Sequence, residues 1–246
     1  MRARQRHFNP RNAGANLVLD ARYINQANST SISSWTDRSA NSYTINQTTA
    51  ANQPTFKTRE INGNSAVQFD GTSDFLTGGD ILDLGTNGVI IVSVARRDSG
   101  TGGALAGKSS QRALAGRYSL LRETSQFIML YDRQGGGITA QLSESSTAPT
   151  IFSGTLERGV NLKAFTNGNQ LASTNTGTPD STSHNTSDEF FIGAYQNSTG
   201  TSPPASGLYW NGMIAQVIVL LSNTYNNPLK KRLEQSSAFS FKIACS

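Results

Sequence analysis

The chain has one cysteine in 246 residues, Cys245, beside its C-terminus. No disulfide can form within it, and no zinc centre can be built from thiolates. Histidine is almost as scarce. His7 lies in a basic N-terminal stretch and His184 in a Thr- and Ser-rich segment, so a Ser-His-Asp triad would rest on His184 alone, and no G-x-S-x-G elbow accompanies it. His184 therefore reads as a solvated loop residue. Long apolar runs are also missing: nothing approaches the ~18 residues of a membrane helix. No apolar segment follows the basic N-terminus as it would in a secretory leader. The expectation is a soluble protein that folds in the cytosol of the cell that makes it.

Charge is sparse as well, at 15% of residues, and uneven. Arg2, Arg4, Arg6 and Arg11 supply four of the five excess positive charges, so the rest of the chain is close to neutral. Residues 1–14 are predicted to be a basic arm that docks on an acidic protein surface or on nucleic acid in an assembly, or else serves as a solubilising tail. The body, expected to be a single domain over residues 15–246, has too few clustered cations for a nucleic-acid surface. Its one basic run, Lys230-Lys231-Arg232, reads as the solvated face of a helix.

What the chain has in quantity is Asn, Ser, Thr, Gln and Gly between short apolar alternations, the signature of many strands joined by polar turns. In INGNSAVQFDGTSDFL (61–76), Asn62-Gly63 is a turn, Ala66, Val67 and Phe69 mark a strand, and Asp70-Gly71 ends it. LVLDARYI opens a first strand running to about Ile24. GVIIVSVARR (88–97) and WNGMIAQVIVLL (210–221) are nearly continuous apolar runs, as strands covered on both faces require. Asn167-Gly168 supplies a further hairpin turn. NNPLKKRLEQSSAF carries an Asn cap at 226 or 227, Pro228 at the first helical position, and Leu229 and Leu233 four apart, predicting one short helix. Beyond it, alternating Phe239, Phe241 and Ile243 suggest a last strand or an extended packed tail. The fold class is all-β: a two-sheet antiparallel sandwich with one C-terminal helix.

The order LVLDARYI, SSWTDRSANSYT, QPTFKTREINGNSAVQFDGTSDFL, GVIIVSVARRDS, NLKAFTNGNQLAS, FFIGAY, YWNGMIAQVIVL and then a helix resembles the laminin-G-like jelly-roll domains of the concanavalin A-like lectin/glucanase superfamily, over about residues 15 to 238. The resemblance implies two antiparallel sheets, the concave one often used to bind sugars or protein partners. The chain departs from the family in its ending, LEQSSAFSFKIACS, where a tyrosine-containing tail is usual. That tail, the missing leader and the Asn/Ser/Thr-rich composition look like phage virion proteins carrying this fold, which implies a virion location, assembly partners met through the arm, and multivalent display. An extracellular or cell-surface location is the alternative.

Retaining glycoside hydrolases of this superfamily need Glu and Asp at alternate strand positions, so that both carboxylates face one cleft. The glutamates at 60, 123, 144, 157, 189 and 234 have no acidic neighbour two or four residues away. No catalytic residues are assigned. The acidic loop residues Asp70, Asp74, Asp80 and Asp83 are the candidate calcium ligands, hard oxygens in loops being what that ion takes; the alternative is that they occupy turns and cap loops. No other cofactor is expected. Sugar recognition wants an aromatic face beside polar side chains. Tyr131-Asp132-Arg133 and Tyr195-Gln196-Asn197 offer this at strand ends, so Tyr131, Asp132, Arg133, Tyr195 and Asn197 form the candidate ligand surface, with core or rim packing as the alternative. Trp35 and Trp210, inside family motifs, read as buried. The functional reading is a non-enzymatic binding or structural protein, a phage surface or tail-associated component that binds a glycan or an assembly partner. A carbohydrate-active enzyme with an atypical site and a secreted bacterial adhesion module are the rivals.

Overall fold

Left-handed turns cut the chain at two of its four Asn-Gly pairs. Asn62 and Gly63 have φ of 49° and 84°, and Asn167 and Gly168 of 48° and 83°. Both central residues of a tight hairpin turn need this conformation, which Asn tolerates and Gly adopts without strain. The computed structural model describes residues 9–99, 102–108, 115–123, 125–133, 136–169, 174–175, 177–195, 209–223 and 227–245. Its strands are, in chain order, β1 (Leu17–Asp20), β2 (Thr30–Ser31), β3 (Ser34–Thr36), β4 (Thr44–Asn46), β5 (Thr55–Ile61), β6 (Asn64–Asp70), β7 (Leu76–Thr77), β8 (Gly88–Arg97) and β9 (Gly102–Lys108). They continue with β10 (Arg117–Glu123), β11 (Gln126–Arg133), β12 (Gly136–Ser143), β13 (Thr150–Glu157), β14 (Asn161–Thr166), β15 (Thr174–Asn175), β16 (Phe191–Ile192) and β17 (Asn211–Ser222), after which comes the α-helix α1 (Asn227–Phe241).

These strands form two antiparallel sheets, the all-β sandwich with one C-terminal helix that the pattern predicts. One sheet has eight strands, in the order β14-β13-β8-β17-β6-β5-β2 with β1 also on β17; the other has nine, in the order β15-β12-β11-β10-β9-β16-β7-β4-β3. The two apolar runs lie side by side mid-sheet, as expected: β8 pairs with β13 on one edge and with β17 on the other. The free edge of β17 is shared, Asn211–Ile214 pairing with β6 and Gln216–Val219 with β1.

Two-residue alternation sorts these strands onto two covered faces. Val89, Ile91, Val217 and Val219 face the other sheet and join Leu120, Phe127, Met129, Trp35 and Trp210 in the main core. Ile90, Val92, Ile218 and Leu220 face the opposite way and pack with Leu233, Ala238 and Phe241 of α1. Where the sheets approach, Gly154 of β13 makes room for Met129 and Leu120, whose side chains would have to shift if a Cβ stood there.

Three local expectations are corrected. The first strand stops at Asp20, and Ala21–Tyr23 form a 3₁₀ turn instead. The Phe239/Phe241 alternation is not a strand: the helix runs through Phe241, which is fully buried, while Phe239 is 74% exposed. Spacing of eight and twelve from Leu233 and Leu229 outweighs spacing of two, since the helix already has a face to cover. Lys230 is not on the solvated face. It is buried, with Nζ 3.0 Å from Glu234 and 3.2 Å from the centroid of the Phe165 ring, while Ser153 Oγ donates to Glu234 Oε1. Burial pushes the Lys230 ammonium below its usual pKa, with Glu234 partly offsetting the shift.

Leu233→Ala removes a fully buried side chain from the helix–sheet layer and is expected to lower stability by about 2–5 kcal/mol, whereas Phe239→Ala should stay within about 0.5 kcal/mol of the parent. Urea unfolding of the two variants checks which aromatic and aliphatic positions hold the helix down.

Candidate functional site

The end of β1 organises a polar surface with two clefts. Asp20 is 4% exposed, and its Oδ1 accepts from the Arg22 backbone N–H at 3.0 Å, capping the 3₁₀ turn. The same carboxylate takes the Arg22 guanidinium as a fork, at 2.9 Å to Nε and 2.6 Å to Nη2. Oδ2 also accepts from Gln216 Nε2 at 3.1 Å, and Gln216 Oε1 accepts from Ser237 Oγ of α1 at 2.6 Å. This relay fixes the turn against the central strand and the helix. Tyr23, at its tip, stands 59% exposed.

A second carboxylate brings in the opposing loop. Asp37 accepts from the backbone N–H groups of Val18 (2.9 Å), Ser39 (2.8 Å) and Tyr43 (3.0 Å) and from Ser39 Oγ (2.7 Å). Arg38, between them, donates its N–H to Val18 O at 2.8 Å and lays its guanidinium 3.7 Å from the Tyr23 ring centroid. That is cation–π contact distance, and it holds the Arg38 side chain over the ring. Among the described residues no carboxylate pairs with Arg38, which stays exposed.

Two clefts meet at this Tyr23–Arg38 pair. The first, of ≈ 350 Å³, runs between residues 23–26 and 31–36; exposed Asn25, Gln26, Ser33 and Thr36 line it with amides and hydroxyls, and buried Trp35 and Ile32 supply its apolar part. Asp20 is the one carboxylate among its described lining residues. The second, of ≈ 270 Å³, shares Asp20, Tyr23 and Arg38 and is further lined by Arg11 and Arg22. Sequence reasoning passed over Tyr23, absorbing it into a strand. The signal that marks it is an Asp two residues before an Arg, which favours a turn, followed by the polar run Asn25-Gln26.

The aromatic clusters expected to present a ligand surface lie elsewhere. Tyr131, Asp132 and Tyr195 are not on the surface; they are 0%, 1% and 5% exposed. Tyr131 points into the main core and its hydroxyl donates to Asp180 Oδ1 at 3.3 Å, while Tyr195 packs with Leu121, Ile128 and Leu130 on the other face of the same sheet. Arg133, partly exposed, donates from Nη1 to Thr178 O at 3.1 Å and holds a loop. Asn197 lies outside the described residues. The error has a physical cause: a residue at a strand end shows its polarity in sequence but not which face of the sheet it occupies. Trp35 and Trp210, both 1% exposed, are buried as expected.

The four aspartates expected to ligate calcium fall into two separate pairs. Asp80 and Asp83 close on the fully buried ammonium of Lys108, with 2.7 Å from Nζ to Asp83, so a lysine occupies the position a cation would take. Asp70 spends its oxygens on its own turn, accepting from the N–H groups of Thr72, Ser73 and Asp74, each at 2.9 Å. Among the described residues no group of three or more His, Cys, Asp or Glu could hold a metal. His184 is also not a free loop residue: its Nε2 lies 2.9 Å from Asp180 Oδ1, which Arg158 Nη2 approaches at 3.0 Å. Burial alone would raise Asp180, but His184 and Arg158 together hold it below the usual carboxylate range.

No family model matches the sequence, and no curated protein resembles it in sequence. Solved structures do share the fold. The botulinum neurotoxin serotype G binding domain superposes with a TM-score of 0.61 at 12% identity over 91% of this chain and 51% of its own. The receptor binding domain of botulinum neurotoxin D gives 0.58 at 11% identity over 92% and 53%. A Trypanosoma rangeli sialidase in complex with 2,3-difluorosialic acid gives 0.56 at 15% identity over 95% and 34%. The chain thus spans about half the length of the two binding domains and about a third of the sialidase. At such identities the likeness establishes the β-sandwich fold and nothing of its ligands.

The Asp70–Asp74 turn gives a pH test. Asp74 donates nothing when ionised and sits buried beside the Asp70 carboxylate, so burial first and then that charge push its pKa from 3.8 up to about 7. A raised folded-state value contributes stability fully present below the unfolded pKa and lost as pH rises through about 7. Asp70 acts in the opposite sense: burial would raise it, but the hydrogen bonds from Ser73, Thr72 and Asp74 outweigh that and lower it, so its contribution is present above the unfolded pKa. Asp74→Asn keeps the acceptor for the Asp70 N–H at 3.1 Å, and should raise the melting temperature at pH 8 more than at pH 4. Equal shifts at both pH values would show that folding does not raise the Asp74 pKa.

Proposed function

We propose that the chain is a non-catalytic saccharide-binding module whose site is the cleft between residues 23–26 and 31–36. The observation that carries the reading is the composition of that cleft: an exposed tyrosine ring beside amide and hydroxyl side chains on a backbone fixed by Asp20 and Asp37. A pyranose offers an apolar C–H face and a rim of hydroxyls, and this arrangement matches both. Acid/base hydrolysis needs two carboxylates across the scissile bond, and here Asp20 is alone and engaged with Arg22. The similar structures support a binding role through the binding domains among them, while the sialidase keeps the enzymatic alternative in view.

The finer reading is a virion surface or tail-associated component, displayed in many copies and joined to its assembly through the basic arm. A shallow cleft of this size holds a single sugar weakly, at about millimolar or −4 kcal/mol, so useful affinity comes from multiplicity. A polysaccharide panel probed with monomeric protein and with streptavidin-clustered protein, scored for both retention and reducing-end release, tests the proposal. Retention of the clustered form without sugar release, reduced at least tenfold by Tyr23→Ala, is expected. Sugar release that disappears on replacing an Asp or Glu would make the protein an enzyme, and no retention in either form would overturn the saccharide reading.

A further inference from the structure

The second cleft gathers arginines. Arg11, Arg22 and Arg38 all line it, and Asp20 is the one carboxylate among its described lining residues. That carboxylate is spent. Its oxygens accept from the Arg22 backbone and fork and from Gln216, so it neutralises Arg22 and leaves nothing for the other two. Arg11 and Arg38 are exposed, and among the described residues neither has an ion-pair partner.

These cations are also held by their backbones. Arg11 sits in the 3₁₀ turn Pro10–Ala13, which Asn9 caps through a 3.0 Å bond from the Arg11 N–H and Gly14 closes at the other end. Arg38 is fixed by Val18 O and by the Tyr23 ring. Gathering like charges about one concave surface is unfavourable until an anion enters, and guanidinium forks match carboxylate and sulfate oxygens in pairs. The hydroxyl of Ser240, also in the lining, adds a neutral donor.

The Tyr23–Arg38 pair is a wall common to both clefts. We infer that the second cleft receives the anionic group, carboxylate or sulfate ester, of an acidic saccharide whose neighbouring ring lies in the first cleft. This rests on the saccharide reading above and adds the charge of the ligand to it. A nucleic acid fits less well, because a chain near neutral outside its N-terminal stretch offers no track of cations along which a phosphate backbone could run.

The test uses streptavidin-clustered full-length protein on four immobilised polymers: polygalacturonate for carboxylate, dextran sulfate for sulfate ester, and neutral galactan and dextran as their uncharged counterparts. Oligo(dT) serves as the nucleic-acid comparison. At least one acidic polymer should be retained about tenfold more tightly than its neutral counterpart. Arg11→Gln, a change in the second cleft alone and at an exposed position, should lower that acid-over-neutral preference about fivefold with an unchanged melting temperature. Tyr23→Ala should lower retention of acidic and neutral polymers together. An acid-over-neutral preference that survives both Arg11→Gln and Arg38→Gln would overturn the inference, as would acidic retention indifferent to Tyr23→Ala, which is plain charge attraction. Tighter retention on oligo(dT) than on any polysaccharide would also overturn it. Equal retention of acidic and neutral polymers, sensitive to Tyr23→Ala, would remove the anion site while leaving the saccharide reading standing; loss of all retention would remove both.

Discussion

The two central strands of the eight-stranded sheet have no polar face, and the rest of the architecture follows from covering both sides. Along β8 the residues from Gly88 to Ala95 are buried without interruption, and β17 is buried from Gly212 to Leu220. One side is closed by the second sheet, through Phe127, Met129 and Trp35. The other is closed by α1, whose Leu233 and Phe241 are fully buried. At about 1.5–3 kcal/mol for each large apolar side chain removed from water, neither layer is dispensable in a chain that has no disulfide to hold it.

Bringing the helix against β17 is also what builds the polar site. Gln216 is buried at 4% exposure, where an unsatisfied amide is costly, and it meets Ser237 from the helix and Asp20 from β1. The constraint that satisfies a buried glutamine thereby fixes the turn bearing Tyr23. Other buried charges are satisfied away from the clefts. Arg117 pairs with Asp188, at 2.7 Å from Nη2, and Lys108 with Asp80 and Asp83. Such pairs tie loops to strands, and removing one partner leaves an uncompensated buried charge. They account for several acidic residues that look chemically interesting in sequence and act structurally in the fold.

Tyr23 and Tyr131 show where sequence legibility ends. Both are tyrosines next to polar residues at strand ends, yet one is 59% exposed and the other fully buried. Strand periodicity gives the two faces of Tyr131's strand without saying which is inside, since β11 is buried on both. Asp80 and Asp83 pose the same problem for charge: their partner Lys108 lies 25 residues beyond Asp83, and nothing local announces it. Arg11, read as part of a basic arm, lines a cleft with Arg38, 27 positions away in the chain.

Local information, by contrast, was carried by local physics. The Asn-Gly turns at 62–63 and 167–168 follow from backbone sterics, the mid-sheet position of residues 88–97 from their unbroken apolarity, and the C-terminal helix from Pro228 and the Leu229–Leu233 spacing. The sequence by itself determined that the protein is a two-sheet β-sandwich with a C-terminal helix, because turn geometry and two-residue alternation act over a few neighbours. Only the tertiary structure decided which tyrosine is exposed, which acids are spent on lysine and arginine, and which arginines have no carboxylate partner among the described residues, because each of those outcomes is set by partners that the fold brings together from distant parts of the chain.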